Sequence, residues 1–231
     1  MIDKTFIIHW KELKERKEYI LSNLDNNVEF IEEFDRNTID NDLILKWYKK
    51  DPEKWYNRCL GIYKEIPEFR ELRLSEICNS FSHLKAIEKI VENNYNTSLI
   101  LEDDVIFNEN FKKFDYLLDK TPNDFDIIFL GSSFSVYLLD IHVPYDNSNP
   151  IKINGDLIYE KINHPKTRTV DAYILSLSAA KKLKNKISDF SHAFDFDLSY
   201  FIKELDLKVY WWEPGLVYQG SQSGHYRSSI R

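Results

Sequence analysis

The sequence contains few of the residues that mark disulfide-bonded, fibrous or membrane-spanning proteins. Its two cysteines, Cys59 and Cys78, form neither a disulfide framework nor the paired spacing of a zinc site. Six glycines and seven prolines in 231 residues exclude collagen-like and low-complexity chains. The longest apolar runs are far shorter than the ~20 residues that a membrane-spanning helix needs, and the N-terminus lacks the apolar stretch of a signal peptide. We therefore expect a cytoplasmic protein without a transmembrane segment.

Positive charge is also scarce, because 38 acidic residues outnumber 31 basic ones and give a formal net charge of -7. A protein that coats a duplex needs a basic face to release counterions, so we expect no nucleic acid partner. Aromatic residues, in contrast, make up 15% of the chain and supply enough apolar surface for a sizeable core. No repeat or flexible linker divides the sequence. We predict a single domain over residues 1–231.

Short apolar runs alternate with amphipathic stretches, which predicts an α/β fold. The predicted strands are residues 6–8, 28–34, 98–101, 126–130, 170–175 and 209–212, and the predicted helices are residues 11–24, 75–93, 110–120, 178–186 and 194–205. Ser75 and Ser178 are the predicted helix caps. The polar tail, residues 214–231, is predicted as a loop that lies over another part of the molecule.

Residues 37–73 are rich in both aromatic and charged side chains and are punctuated by two prolines. The aromatic residues of this segment are Trp47, Tyr48, Trp55, Tyr56 and Tyr63. They could stack on a sugar, but aromatic side chains mostly serve burial. We favour the interpretation that they pack the segment onto the main core.

Three consecutive carboxylates, Glu102, Asp103 and Asp104, directly follow the predicted strand at residues 98–101. The carboxyl ends of strands in an open α/β sheet face the ligand crevice. Adjacent carboxylates repel one another, and Mg²⁺ or Mn²⁺ would relieve that repulsion while leaving coordination positions for phosphate oxygens. The alternative is a solvated acidic turn.

Two other acidic residues and two histidines could contribute to chemistry. Asp195 and Asp197 begin a predicted helix, where they could cap it or, facing the cleft, act as general base for a hydroxyl nucleophile. His225 lies in the polar tail, where it could contact a metal or phosphate or simply be solvated. His83 lies on an apolar helix, and a buried core histidine is its ordinary interpretation.

Four motifs occur in a fixed order along the chain. Residues 75–83 are SEICNSFSH, residues 99–104 are LILEDD, residues 126–131 are DIIFLG and residues 172–176 are AYILS. This series resembles glycosyltransferase family 25, which includes bacterial lipooligosaccharide galactosyltransferases and collagen galactosyltransferase domains. The resemblance extends from about residue 8 to residue 230, and its LILEDD motif matches outright.

The resemblance implies a GT-A-like fold, a Rossmann-like single-domain α/β sandwich with a mostly parallel central sheet that binds a sugar nucleotide. It implies transfer of a hexose, galactose or glucose, from a UDP-sugar to a hydroxyl acceptor, with inversion and with Mn²⁺ or Mg²⁺. The acceptor would be a glycan, a lipid-linked sugar or a protein hydroxyl. Residues 37–73 would form an acceptor-side insertion.

The resemblance also implies roles for individual residues. The implied metal ligands are Glu102, Asp103, Asp104 and His225, with Asp104 the first choice. Asp195 is the first choice for the base that removes the acceptor proton, and Asp197 is the second. The implied contacts to the nucleotide or its phosphates are Arg16, Ser82, His83 and Lys85.

Two other functions remain open from the sequence. The chain departs from the family pattern at Ser75, Cys78, Asn79 and Asp171, which favours a transferase-like protein that binds without catalysing. The acidic cluster alone would also suit a metal-dependent phosphohydrolase.

Overall fold

The structure is a computed structural model of the chain that describes residues 1–24, 27–60, 66–131, 151–161 and 169–229. Its strands are β1 (Lys4–Ile8), β2 (Val28–Ile31), β3 (Thr97–Glu102), β4 (Val105–Phe107), β5 (Ile127–Phe129), β6 (Ile151–Ile153), β7 (Asp156–Lys161), β8 (Ala172–Ser176), β9 (Val209–Glu213) and β10 (Val217–Gln219). Its α-helices are α1 (Lys14–Asn23), α2 (Asn41–Trp47), α3 (Pro52–Cys59), α4 (Leu74–Asn93), α5 (Phe114–Lys120), α6 (Leu177–Lys186), α7 (Phe194–Glu204) and α8 (Gly220–Ser223).

Eight of these strands form one sheet in the order β2-β1-β3-β8-β5-β9-β7-β6. The pairings of β1 with β2, β1 with β3 and β5 with β9 are parallel, and β8 and β7 run antiparallel to their neighbours. Six of the eight strands therefore point the same way, and the mostly parallel α/β fold expected from the sequence is confirmed.

Alternating side chains of the sheet supply two separate cores. In β3, Ile100 faces a core that includes residues of α4, α6 and α7, whereas Leu99 and Leu101 face a core that includes residues of α1 and α5. Because successive side chains of a strand point to opposite faces, one buried strand can hold helices on both sides. This arrangement makes the sandwich.

The ends of β1 and β3 meet at one edge of the sheet. The two strands are parallel, and Ile8 pairs in register with Glu102. The residues that follow each strand, His9 and Trp10 after β1 and Asp103 and Asp104 after β3, are therefore neighbours. The strand pair thus brings the acidic motif next to the segment that leads into α1.

Helix α4 covers this edge of the sheet. Its buried residues recur at helical spacing: Ile77 and Phe81 are four apart, and Ile87 and Ile90 are three apart. At its start, a Glu76 side-chain oxygen accepts from the backbone N–H of Arg73, 2.8 Å away, and the left-handed Asn94 (φ 55°) ends it. Asn79, in the first turns of the helix, lies at the carboxyl ends of the strands, where its Nδ2 donates to Glu102.

The segment at residues 37–73 packs against the core through Trp47, Tyr48 and Trp55, as the favoured interpretation expects, whereas Tyr56 is 54% exposed. Tyr48 belongs to a small buried cluster with Phe81 and Phe190, and its backbone pairs with Phe190. The ring of Trp55 lies 5.4 Å from that of His192. Tyr63 lies outside the described residues. Contact of this segment with an acceptor stays a prediction.

Three local predictions were wrong. The predicted helix at residues 110–120 is a 3-10 helix, Glu109–Lys113, followed by α5, because the Asn108 side chain accepts from the N–H of Asn110 and starts the tighter turn. Arg73 and Ser176, rather than Ser75 and Ser178, are the N-cap residues of α4 and α6. The tail is not all loop, because β10 pairs with β4 and α8 follows it. The first two outcomes depend on local side-chain caps, and the third on the pairing of two strands that are far apart in sequence.

None of the helices in the described ranges is long enough and apolar enough to cross a bilayer.

We predict that Ile100→Ala lowers the free energy of unfolding by about 3 kcal/mol, because it opens a cavity at a fully buried site in the central strand β3. Denaturant unfolding followed by circular dichroism measures the change. Leu21→Ala, at a position that is 52% exposed, is the control and should change stability by less than about 0.5 kcal/mol. Equal effects of the two substitutions would contradict the assigned core.

Candidate active site

A pocket of about 690 Å³ opens at the edge where β1 and β3 end. Its walls come from the segment after β1, the acidic motif after β3, one face of α4 and the C-terminal segment. Glu102, Asp103 and Asp104 all line it. The volume suits a small-molecule site with a few polar groups.

Asp103 is held on all sides by the protein. One of its carboxylate oxygens accepts from Arg16 Nη1 at 2.6 Å, and the other lies 2.9 Å from His9 Nδ1 and accepts from the Trp10 N–H at 3.2 Å. Arg16 and Asp103 are 2% and 6% exposed. Both oxygens are therefore engaged in hydrogen bonds within the protein, and the charge of Arg16 is neutralised by Asp103.

Among the described residues, no lysine or arginine forms an ion pair with Glu102 or Asp104. Burial, with help from the charges of Asp195 and Asp103, raises the pKa of Glu102 to about 7, although a bond from Asn79 opposes the shift. Burial and the charge of Glu102 raise the pKa of Asp104 to about 7. Oxygen Oδ1 of Asp104 is buried and accepts no hydrogen bond from the part of the chain that the structure describes. These two carboxylates form a pocket of uncompensated negative charge.

This donor set fits a divalent cation. A buried carboxylate oxygen with no partner, beside a second carboxylate, is what a hard cation such as Mg²⁺ or Mn²⁺ binds. Among the described residues, no three His, Cys, Asp or Glu side chains come together as a complete protein-made metal site. The remaining coordination positions would fall to phosphate oxygens or water.

His225 does not join the acidic residues. It is exposed, and its Nδ1 lies 2.9 Å from the Ser223 hydroxyl. The sequence suggested it as a third ligand only because it follows small residues in the tail, and that pattern carries no information about distance.

The four predicted nucleotide contacts lie in different surroundings. Arg16 pairs with Asp103, as described above. Ser82 lines the pocket and donates to the Cys78 carbonyl at 2.9 Å. Lys85 pairs with Glu88 on its own helix. His83 is 0% exposed, and burial lowers its pKa to about 3. Of the four, only Ser82 is part of the pocket wall.

The two aspartates at the start of α7 differ sharply. Asp197 is 1% exposed and accepts from Arg58 and from the Ser191 and His192 N–H groups, the latter at 3.0 and 3.1 Å. Burial alone would raise the pKa of Asp197, but the bond from His192 and the charge of Arg58 hold it below its usual value. The side chain ties α3 to the start of α7.

Asp195 faces the acidic motif instead. Burial raises its pKa, against a bond from the Phe196 N–H and the charge of His83, and its own charge raises the pKa of Glu102. Asp195 is not part of the pocket wall itself. Its effect on the pKa of Glu102 shows that Asp195 is near the acidic motif. The carboxylate of Asp197, in contrast, is engaged in hydrogen bonds that stabilise the fold.

Sequence reasoning missed a group of arginines. Arg36, Arg70 and Arg73 line the pocket, and the guanidinium of Arg36 lies 3.6 Å from the ring centroid of Trp10. Trp10 follows β1, Arg36 follows β2, and Arg70 and Arg73 precede α4. These connections border a crevice at the ends of the strands. That topological rule could have pointed to them.

The C-terminal segment forms one wall of the pocket. The Gly220 N–H donates to the Asp104 carbonyl at 2.6 Å, and a Cβ at Gly220 would come within 2.8 Å of that oxygen, so only glycine fits. Arg16 Nη2 donates to the Arg227 carbonyl at 2.5 Å, and Arg36 donates to that of Ser229. The predicted placement of the tail over another part of the molecule is therefore confirmed.

We predict that Asp104→Asn makes stability less sensitive to pH when a chelator is present. The pKa of Asp104 is raised to about 7 in the folded state, so the folded protein binds this proton more tightly than the unfolded chain does. Its contribution is complete below about pH 4 and is lost as the pH rises to 7 and above. Thermal melts from pH 5 to 8 should show the variant gaining roughly 5 °C relative to the wild type.

Asp119→Asn is the matched control for this experiment, because Asp119 is exposed and pairs with Lys120. It should follow the wild-type pH profile. If Asp104→Asn also followed the wild-type pH profile, the pKa of Asp104 would not be raised by folding.

The sequence profile of glycosyltransferase family 25 (LPS biosynthesis protein) matches residues 2–198. No curated protein matches the chain significantly. Similar solved structures include A197 from STIV, 15% identical, with a TM-score of 0.34 over 60% of this chain and 64% of A197. They also include mouse xyloside xylosyltransferase 1 in its apo form, 13% identical, with a TM-score of 0.33 over 87% of this chain and 68% of that one. The chain thus spans less than two thirds of A197.

On the family match, which covers most of its length, the chain belongs to glycosyltransferase family 25.

Proposed function

We propose that the protein transfers a hexose, galactose or glucose, from a UDP-sugar to a hydroxyl acceptor, with inversion at the anomeric carbon. Membership of glycosyltransferase family 25 supports glycosyl transfer. The observation that carries the finer proposal is the pair of buried carboxylates, Glu102 and Asp104, that line the pocket without a compensating cation.

In this proposal Asp104 and Glu102 hold a divalent cation, Mn²⁺ or Mg²⁺, together with the two phosphates of the donor. Such a cation would neutralise the charge that builds up on the departing UDP. Asp103 has a different role, because both of its oxygens are occupied. It fixes the segment after β3 to α1 and so positions its two neighbours.

Asp195 is the proposed base. It would remove the proton of the acceptor hydroxyl as that oxygen attacks the anomeric carbon and the bond to the phosphate breaks. A raised pKa suits this task, since a base works best when its pKa approaches the working pH. Asp197 holds the start of α7, and with it Asp195, through Arg58 and His192.

Ser82 and the arginines of the pocket supply donors for the phosphates and the sugar. Arg36 and Arg73 place positive charge in the pocket, and Arg70 lines it while paired with Glu76. Guanidinium groups bind phosphate oxygens well because they offer several N–H donors in one plane. The acceptor would be a glycan, a lipid-linked sugar or a protein hydroxyl, with residues 37–73 on its side.

We predict that Asp104→Ala weakens binding of UDP in the presence of Mn²⁺ by at least about tenfold, because it removes a direct ligand. Isothermal titration calorimetry with UDP, with Mn²⁺ and with EDTA, measures the effect. The exposed Asp119→Ala variant is the control and should bind like the wild type. Equal affinity of Asp104→Ala and wild type would refute the metal role.

We predict that Asp195→Asn lowers kcat by roughly 10²–10⁴-fold while UDP binding persists, because the amide cannot accept the proton. Release of UDP from UDP-galactose and UDP-glucose, with candidate hydroxyl acceptors, measures turnover. Turnover that survives the substitution would remove Asp195 as the base.

Asp197→Asn provides the contrast to Asp195→Asn. It leaves Arg58 without its carboxylate and should lower the free energy of unfolding by about 3 kcal/mol.

A wild-type protein that binds UDP and Mn²⁺ but turns over neither donor with any acceptor tried would favour the inactive binding protein instead.

A further inference from the structure

Two residues of α4, Asn79 and His83, lie close to the same carboxylate oxygen of Glu102. Asn79 Nδ2 donates to Glu102 Oε1 at 2.8 Å, and His83 Nε2 lies 3.5 Å from that same oxygen. Positions 79 and 83 are four residues apart, so the two side chains lie on one face of the helix. The other oxygen, Oε2, receives a longer bond of 3.4 Å from Gln219.

The orientation of His83 is set by its surroundings. Its ring is 0% exposed and stacks on Phe194 with centroids 4.4 Å apart and an angle of 3° between the planes. Its Nδ1 lies 3.0 Å from the Tyr173 hydroxyl. When that hydroxyl donates to Nδ1, the single proton of the neutral ring is on Nε2, which faces Glu102.

A purely structural role explains His83 poorly. Within the described residues, its buried Nε2 makes no proper hydrogen bond, and buried polar groups are nearly always satisfied. The contact with the Tyr173 hydroxyl accounts for Nδ1 of His83 but not for Nε2. The nitrogen is instead aimed at a carboxylate that lines the pocket.

We infer that Asn79 and His83 are positioning residues that hold Glu102 by Oε1 and leave Oε2 to bind, together with Asp104, the cation of the donor complex. The inference rests on the proposed function of this site. Tyr173 sets the direction of the His83 proton, so the chain of contacts links β8, α4 and β3. Groups that orient a ligand in this way usually affect metal affinity strongly.

The test measures binding of Mn²⁺ in the presence of UDP by calorimetry and by the electron paramagnetic resonance signal of free Mn²⁺. Asn79→Ala and His83→Asn should each weaken Mn²⁺ binding by about tenfold or more. His83→Gln should bind within about threefold of the wild type. The glutamine amide reaches the position of Nε2, whereas the asparagine amide reaches only that of Nδ1.

Ser80→Ala is the matched control on the same helix. The Ser80 hydroxyl donates to the Glu76 carbonyl one turn back, so its loss should leave Mn²⁺ binding unchanged. Circular dichroism confirms that each variant is folded. If His83→Asn does not fold, the Asn79→Ala result decides the question alone.

Wild-type affinity in Asn79→Ala and His83→Asn, with binding lost in Asp104→Ala, would overturn this inference and leave the proposed function intact. Equal weakness of folded His83→Gln and His83→Asn would overturn the assignment of His83. A wild-type protein that binds no Mn²⁺ with UDP would overturn both the inference and the function on which it rests.

Discussion

The buried ion pair between Arg16 and Asp103 is the contact on which the pocket depends. It joins α1 to the segment after β3, and the same guanidinium reaches the Arg227 carbonyl of the C-terminal segment. A buried pair of charges survives only when its remaining hydrogen-bonding groups are met, and here His9 and Trp10 complete the carboxylate. Three walls of the pocket are therefore fixed by one pair of side chains.

This pair also divides the acidic motif into two functions. Asp103 is neutralised by a permanent partner, whereas its neighbours Glu102 and Asp104 are buried beside each other without one. Three carboxylates adjacent in sequence therefore differ because Glu102 ends β3, whereas Asp103 and Asp104 lie in the turn that follows, and each meets a different environment. In the proposed complex, a divalent cation would balance the charge left over on two of them.

The same division occurs at the start of α7. Asp197 accepts bonds from Arg58 and from the turn before the helix, and its charge is fully used by the fold. Asp195, two residues earlier, is coupled to the acidic motif, because its charge raises the pKa of Glu102. Alternate positions at one helix start thus serve stability and, in the proposed mechanism, proton transfer.

The sequence alone determined the α/β class, the family, the acidic motif at a strand end and the helix that covers it, because hydrophobic periodicity and an ordered series of motifs are local properties of the chain. The resemblance ranked Asp104 before Asp103 and Asp195 before Asp197, but the physical difference within each pair depends on Arg16 and Arg58, which lie far away in sequence. It also placed His225 with the ligands and overlooked Arg36, Arg70 and Arg73. Only the tertiary structure decided these points, because charge compensation and burial depend on which distant side chains the sheet brings together.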